Sequence, residues 1–166
     1  MIATVETCEP PPNALLRTYS SEYTDCYATD IARPVAHADF VDAFYNTRLF
    51  KLERILLTLI GKPSADADAR ELANGRLEAF AAWTVERRAV DQLLLCDFQG
   101  KTRSWLMVEP RGNGTRLYFG SAVVMRAGTG VGEKRMSGGF RALLGFHRRY
   151  SRGLLGAARR ALLRGT

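Results

Sequence analysis

Between Leu77 and Met125 the apolar residues come in short runs broken by turn signals. The runs Leu77–Glu86, Gln92–Phe98, Thr102–Glu109 and Arg116–Met125 are enriched in β-branched and aromatic residues, which favours strands over helices. Gln99-Gly100 is a two-residue hairpin signal, because glycine tolerates the positive φ such turns need. Pro110 to Gly114 makes a longer turn. Connections this short force neighbouring strands to be antiparallel, so the block predicts a meander.

A hairpin tip at Gln99-Gly100 sets Leu94 opposite Trp105 and Cys96 opposite Arg103. The next turn sets Met107 against Tyr118 and Trp105 against Gly120. One face then carries Leu94, Cys96, Phe98, Trp105, Met107, Tyr118 and Ala122. The other carries Leu93, Leu95, Leu106, Val108, Leu117, Phe119 and Val123, with Ser104 and Ser121. Neither is a wet face, so both are expected to be covered, by helices or by a second copy in a homodimer.

Before this block, residues 1–18 are proline-rich and unpatterned, which suggests a mobile arm ahead of one domain over 19–166. Tyr23–Tyr27 reads as a first strand, ended by the turn at Pro34. From His37 to Ile60 apolar residues recur at helical spacing, and Asn46-Thr47 interrupts them with a cap for a second helix. Gly61 and Pro63 stop it. Ser64–Gly75 reads as a short polar helix or ordered loop. From Phe140 to Arg164, Phe140, Leu143, Leu144, His147, Tyr150, Leu154, Leu155, Ala158 and Leu162 form one stripe, with arginines opposite. The fold class is α+β: an antiparallel meander wrapped on a long C-terminal amphipathic helix, with a helix pair after the first strand.

The 166 residues suffice for a core without staples. No apolar run reaches the ~18 residues of a transmembrane segment, and the first dozen residues lack the features of a secretory signal. Three cysteines without a Cys-x-x-Cys pair suggest reduced thiols and a cytoplasmic protein. With two histidines, neither at ligand spacing from a cysteine, no metal site is expected. No cofactor is expected either: Gly128-x-Gly130-x-Gly132 lacks the order of a phosphate-binding loop and reads as a hinge.

Charge is uneven. Nine of 24 Lys and Arg but one of 17 Asp and Glu lie from Gly132 onward, so about −1 precedes that point and +8 follows it. The arginines read as a solvated helix face. No aromatic residue interleaves Arg148, Arg149 and Arg152 to stack bases, so specific nucleic-acid binding is not expected.

The element order looks like the helix-grip arrangement of the START/Bet v 1-like (SRPBCC) superfamily. Asp39–Phe44, Gly75–Phe80, Trp83–Arg87, Ser104–Leu106, Leu117–Gly120 and Phe146–Tyr150 resemble the bacterial domain-of-unknown-function family DUF2867. That resemblance spans most of the chain from Tyr23 to Leu163 and carries over no catalytic residues. Members of that family also occur fused to nucleotide-binding reductase-like domains, which implies service to a small-molecule pathway.

These readings suggest a binding module for a hydrophobic small molecule, held between sheet and last helix. Trp83, Trp105, Met107 and Tyr118 would supply walls, and His147 and Tyr150 a polar anchor. An alternative is a cyclase- or isomerase-type enzyme in the same pocket, using His147 with Tyr150 or a carboxylate such as Glu86. Another is an adaptor meeting a partner or an anionic membrane through the basic helix.

Overall fold

The computed structural model describes residues 4–124 and 138–165. In chain order it contains β1 (Glu6–Thr7), a 3-10 helix (Leu15–Tyr19), β2 (Tyr23–Ile31), α1 (His37–Tyr45), α2 (Arg48–Leu59) and α3 (Asp66–Ala73). Then come β3 (Ala79–Phe80), β4 (Trp83–Arg88), β5 (Gln92–Asp97), β6 (Thr102–Arg111), β7 (Gly114–Val123) and α4 (Gly138–Arg164). The strands form one antiparallel sheet in the order β1-β2-β7-β6-β5-β4-β3. The glycine-rich run through Gly128, Gly130 and Gly132 lies outside the described residues, as do Met125 and the side chains of Phe140, Leu143 and Leu144.

The register follows the hairpin at Gln99-Gly100: Leu94 pairs with Trp105, Cys96 with Arg103, Met107 with Tyr118 and Trp105 with Gly120. The run from Leu77 to Glu86 is two strands rather than one. The chain turns at Ala81, whose φ of 52° is left-handed, and Phe80 pairs with Trp83 across the turn. Thr47 caps α2, its hydroxyl accepting from the Phe50 N–H at 3.2 Å.

Each face of the sheet has its own core. On the inner face Leu93, Leu95, Leu106, Leu117 and Phe119 pack against Phe40, Phe44 and Tyr45 of α1 and Leu154, Leu155, Ala158 and Leu162 of α4. On the outer face Leu94, Trp105, Met107, Tyr118 and Ala122 pack beneath Ala14 and Leu16.

The N-terminal segment is therefore a cover, not a mobile arm. Leu16 is fully buried. Gln92 accepts from the Leu15 N–H at 2.8 Å and donates to the Asn13 carbonyl at 3.0 Å. Arg116 joins Glu6 of β1 to Asp30 of β2. These ties are long-range, so no local period announces them.

Candidate functional site

A cavity of about 230 Å³ lies between the inner face and the helices α1, α2 and α4. Phe44 and Tyr45 of α1, Phe50 of α2, Trp83 of β4, Phe119 of β7 and Leu154 of α4 supply apolar walls. Two polar clusters interrupt them.

In the first, Ser121 of β7 donates its hydroxyl to Asp25 Oδ1 at 2.6 Å and its backbone N–H to the same oxygen at 3.1 Å. His147 Nε2 lies 2.8 Å from Ser121 Oγ and 3.4 Å from Asp25 Oδ2. The serine proton is directed at the carboxylate, so Ser121 Oγ accepts from an N–H on His147 Nε2. A nucleophilic serine needs the reverse arrangement, with histidine taking its proton. The group is thus a hydrogen-bonded cluster whose more exposed member is His147. Burial pushes the Asp25 carboxyl up, but hydrogen bonds from His147 and Ser121 outweigh it and hold the carboxyl below its usual range.

In the second cluster Tyr150 of α4 donates its hydroxyl to Glu53 Oε2 of α2. Burial pushes the Glu53 carboxyl above its usual range, against the opposing pull of Tyr150 and His147. Burial and the neighbouring Glu53 carboxylate push the Tyr150 hydroxyl up as well.

Two buried polar atoms on the wall have no hydrogen-bond partner: Ser151 Oγ and Trp83 Nε1. Buried polar groups are normally paired, and a ligand could supply the missing partners.

Outside the Glu53–Tyr150 contact lies an open groove lined by Leu49, Leu52, Phe146 and Arg149 as well as by Glu53 and Tyr150 themselves. Leu52 is 59% exposed and Phe146 67% exposed, with the Phe146 ring stacked on Tyr150 at 6.0 Å. On the other side of α4, Arg148, Arg149 and Arg152 line a cleft of about 470 Å³ against β2. Arg152 donates to Thr7 Oγ1 at 2.9 Å and lies over the Tyr27 ring.

Of the residues expected to form the site, the fold brings Trp83, His147 and Tyr150 together. It does not bring in Trp105, Met107 and Tyr118, which lie on the outer face because α4 packs against the other one. Trp105 donates to Gln92 at 2.9 Å and Tyr118 donates to Glu109 at 2.7 Å. Glu86 is also misplaced as a site carboxylate. The β4 register slips between Val85 and Arg87, and Glu86 pairs with Arg103 at 2.6 Å while accepting from Tyr19. His147 is not buried within its stripe; its side chain is 36% exposed.

Glu53, Asp25, Ser121 and Ser151 complete the site and were not expected. Glu53 is the sole acid of α2 and stands three residues from Phe50, on the same helix face. Asp25 alternates with Tyr23 and Tyr27, which places it on their side of the strand.

Among the described residues no group of three or more His, Cys, Asp or Glu side chains could hold a metal ion. No helix there is long and apolar enough to cross a membrane. No family model, no curated protein and no solved structure matches the chain.

Proposed function

We propose that this chain binds a small, mostly apolar molecule carrying a carbonyl or hydroxyl group in the cavity under α4. The observation that carries this reading is the wall itself: aromatic side chains surround His147, Tyr150 and two unpartnered polar atoms. Ligand sites combine apolar walls with a few convergent polar groups in this way. The volume is below the ~300–1,000 Å³ usual for drug-sized ligands, so the ligand is small. The apolar groove outside Glu53 and Tyr150 gives it an approach. The resemblance to helix-grip proteins agrees, as an analogy of architecture.

Fluorescence tests this directly, because the two tryptophans stand on opposite faces. Naphthol should quench Trp83 and raise the melting temperature, and Trp83→Phe should abolish the quench while Trp105→Phe keeps it. His147→Leu should weaken naphthol more than naphthalene. An unchanged spectrum and melting temperature across a panel of such compounds would defeat the proposal.

A second reading, an enzyme of the isomerase or cyclase type, draws support from Glu53. A carboxyl held above its usual range faces the same cavity as an imidazole backed by a carboxylate. Such a pair suits proton removal and return on one substrate. Mass spectrometry of a bound ligand after incubation separates the readings. Chemical change that Glu53→Gln abolishes favours the enzyme, and quantitative recovery of the ligand favours the binder.

A further inference from the structure

The N-terminal strand meets β2 with Glu6 opposite Ala28 and Thr7 opposite Tyr27. Continuing that register sets Cys8 opposite Cys26, and the Cys8 N–H donates to the Cys26 carbonyl at 3.0 Å. The sulfurs of these residues, 18 positions apart in sequence, lie 3.3 Å from each other. Neighbouring positions on antiparallel strands have Cα atoms about 4.5–5.5 Å apart. That lies inside the ~4.4–6.8 Å range of disulfides, so the bond could close without moving the backbone far.

Both residues border the arginine-lined cleft beside β2, Cys26 from a buried position and Cys8 from a half-exposed one, with their side chains on the outer face. We propose that Cys8 and Cys26 form a dithiol site that a hydroperoxide converts into an intramolecular disulfide, fastening the N-terminal cover to the sheet. This site is separate from the cavity under α4, and the proposal does not depend on what that cavity binds.

The two cysteines have different roles. The hydrogen bond from the Cys26 S–H and the nearby Arg116 pull the Cys8 thiol down, against burial. The same contact and burial push the Cys26 thiol up. Cys8 is also the more exposed of the two, so its thiolate is the one a peroxide reaches and the one that attacks first. Its sulfur attacks one peroxide oxygen, the O–O bond breaks, and the alkoxide leaves and takes up the proton that Cys8 released. Cys8 is now a sulfenic acid. The Cys26 sulfur attacks the Cys8 sulfur, the S–O bond breaks, and hydroxide leaves as water with the Cys26 proton. Two thiols have lost two electrons, and the hydroperoxide has become an alcohol and water. With hydrogen peroxide both products are water.

Cys96 provides an internal control. It lies on β5 opposite Arg103, with its S–H donating to the Asp97 carbonyl at 3.4 Å.

The experiment treats the native full-length chain with hydrogen peroxide, denatures it, alkylates the remaining thiols and measures intact mass. One alkylation, mapped to Cys96, is expected, with a peptide joining Cys8 to Cys26 that dithiothreitol releases. Cys96→Ser should still cross-link. Cys26→Ser should stop at a Cys8 sulfenic acid that dimedone traps, and Cys8→Ser should form no such adduct. Three alkylations after peroxide, a cross-link through Cys96, or a disulfide between two molecules would overturn the assignment. Fastening is read separately by limited trypsin digestion at Arg17, which should be slower in the oxidised protein. Equal cleavage rates in the two forms would overturn that part.

Discussion

Tyr150 on α4 donates its hydroxyl to Glu53 on α2, joining the two helices at the boundary between cavity and outer groove. That hydrogen bond favours the charged carboxylate, while burial opposes it. Tyr150→Phe removes the donor and leaves the desolvation. The Glu53 titration, followed by side-chain NMR, should therefore move to higher pH in this variant. An unmoved midpoint would mean that the two groups do not meet in solution.

Glu53 also shapes stability against pH. Its folded carboxyl titrates above the ordinary value of 4.5, so the folded state holds its proton to higher pH than the unfolded chain does. Stability from this group is complete below the unfolded value and is lost as pH rises through the folded one. Glu53→Gln keeps an acceptor for Tyr150 and cannot ionise. The variant should gain on the parent as pH rises above 4.5, as urea unfolding below and well above that value would show.

His37 acts in the opposite direction. Burial pushes its imidazole down from 6.5 to about 4, although a 3.4 Å contact with the Leu106 carbonyl pulls it back up. As pH falls through that window the unfolded chain takes the proton first, and stability drops by at most roughly 1.4 kcal/mol per pH unit. The contribution is complete above 6.5, and below about 4 this group causes no further loss. His37→Gln should flatten that slope in unfolding titrations. A slope identical to the parent's would count against a half-buried, neutral His37.

Leu154 tests whether α4 is held by its apolar stripe. The residue is 3% exposed and sits between the cavity and the inner core. Leu154→Ala should cost roughly 2–5 kcal/mol in equilibrium unfolding, as other large-to-small core changes do. A loss below about half a kcal/mol would instead be typical of a surface position.

Gly120 marks the closest approach on the outer face. A Cβ there would lie 2.5 Å from Leu16 Cδ2, 2.8 Å from the Asp25 carbonyl oxygen and 3.1 Å from the Trp105 ring. Gly120→Ala should therefore destabilise by about 1–3 kcal/mol, the cost usual for overpacking. Adding Leu16→Ala removes the side-chain clash but leaves the backbone one. The double variant should not return to the stability of Leu16→Ala alone, and full recovery in thermal melts would refute this account.

The meander was legible because its turns are short, and the two that carry glycine, at Gln99-Gly100 and at Pro110–Gly114, set the register from Leu93 to Tyr118. Period alone could not say which face met α4, since Trp105 and Met107 are as apolar as Leu106 and Phe119. The choice depends on the N-terminal segment, where a single Leu16 and the carbonyl of Asn13 cover the outer face without any repeating pattern. The two strands that the pattern does not show, β1 and β3, are two-residue pieces, too short for any alternation. In the site, His147 and Tyr150 could be found from helical spacing. Asp25 and Ser121 could not, because their meeting requires β2 and β7 to be neighbours from opposite ends of the chain.

The shortness of β1 and β3 has a further effect. A sheet whose outermost strands are two residues long offers another chain little backbone on which to add. A bare stretch is Tyr23–Asp25 of β2, beyond the reach of β1, and there Arg148, Arg149 and Arg152 border the cleft. A strand arriving from a second molecule would have to pass these guanidinium groups. Charged side chains along an edge disfavour such an addition, and here they stand beside one part of the sheet edge that the fold leaves uncovered.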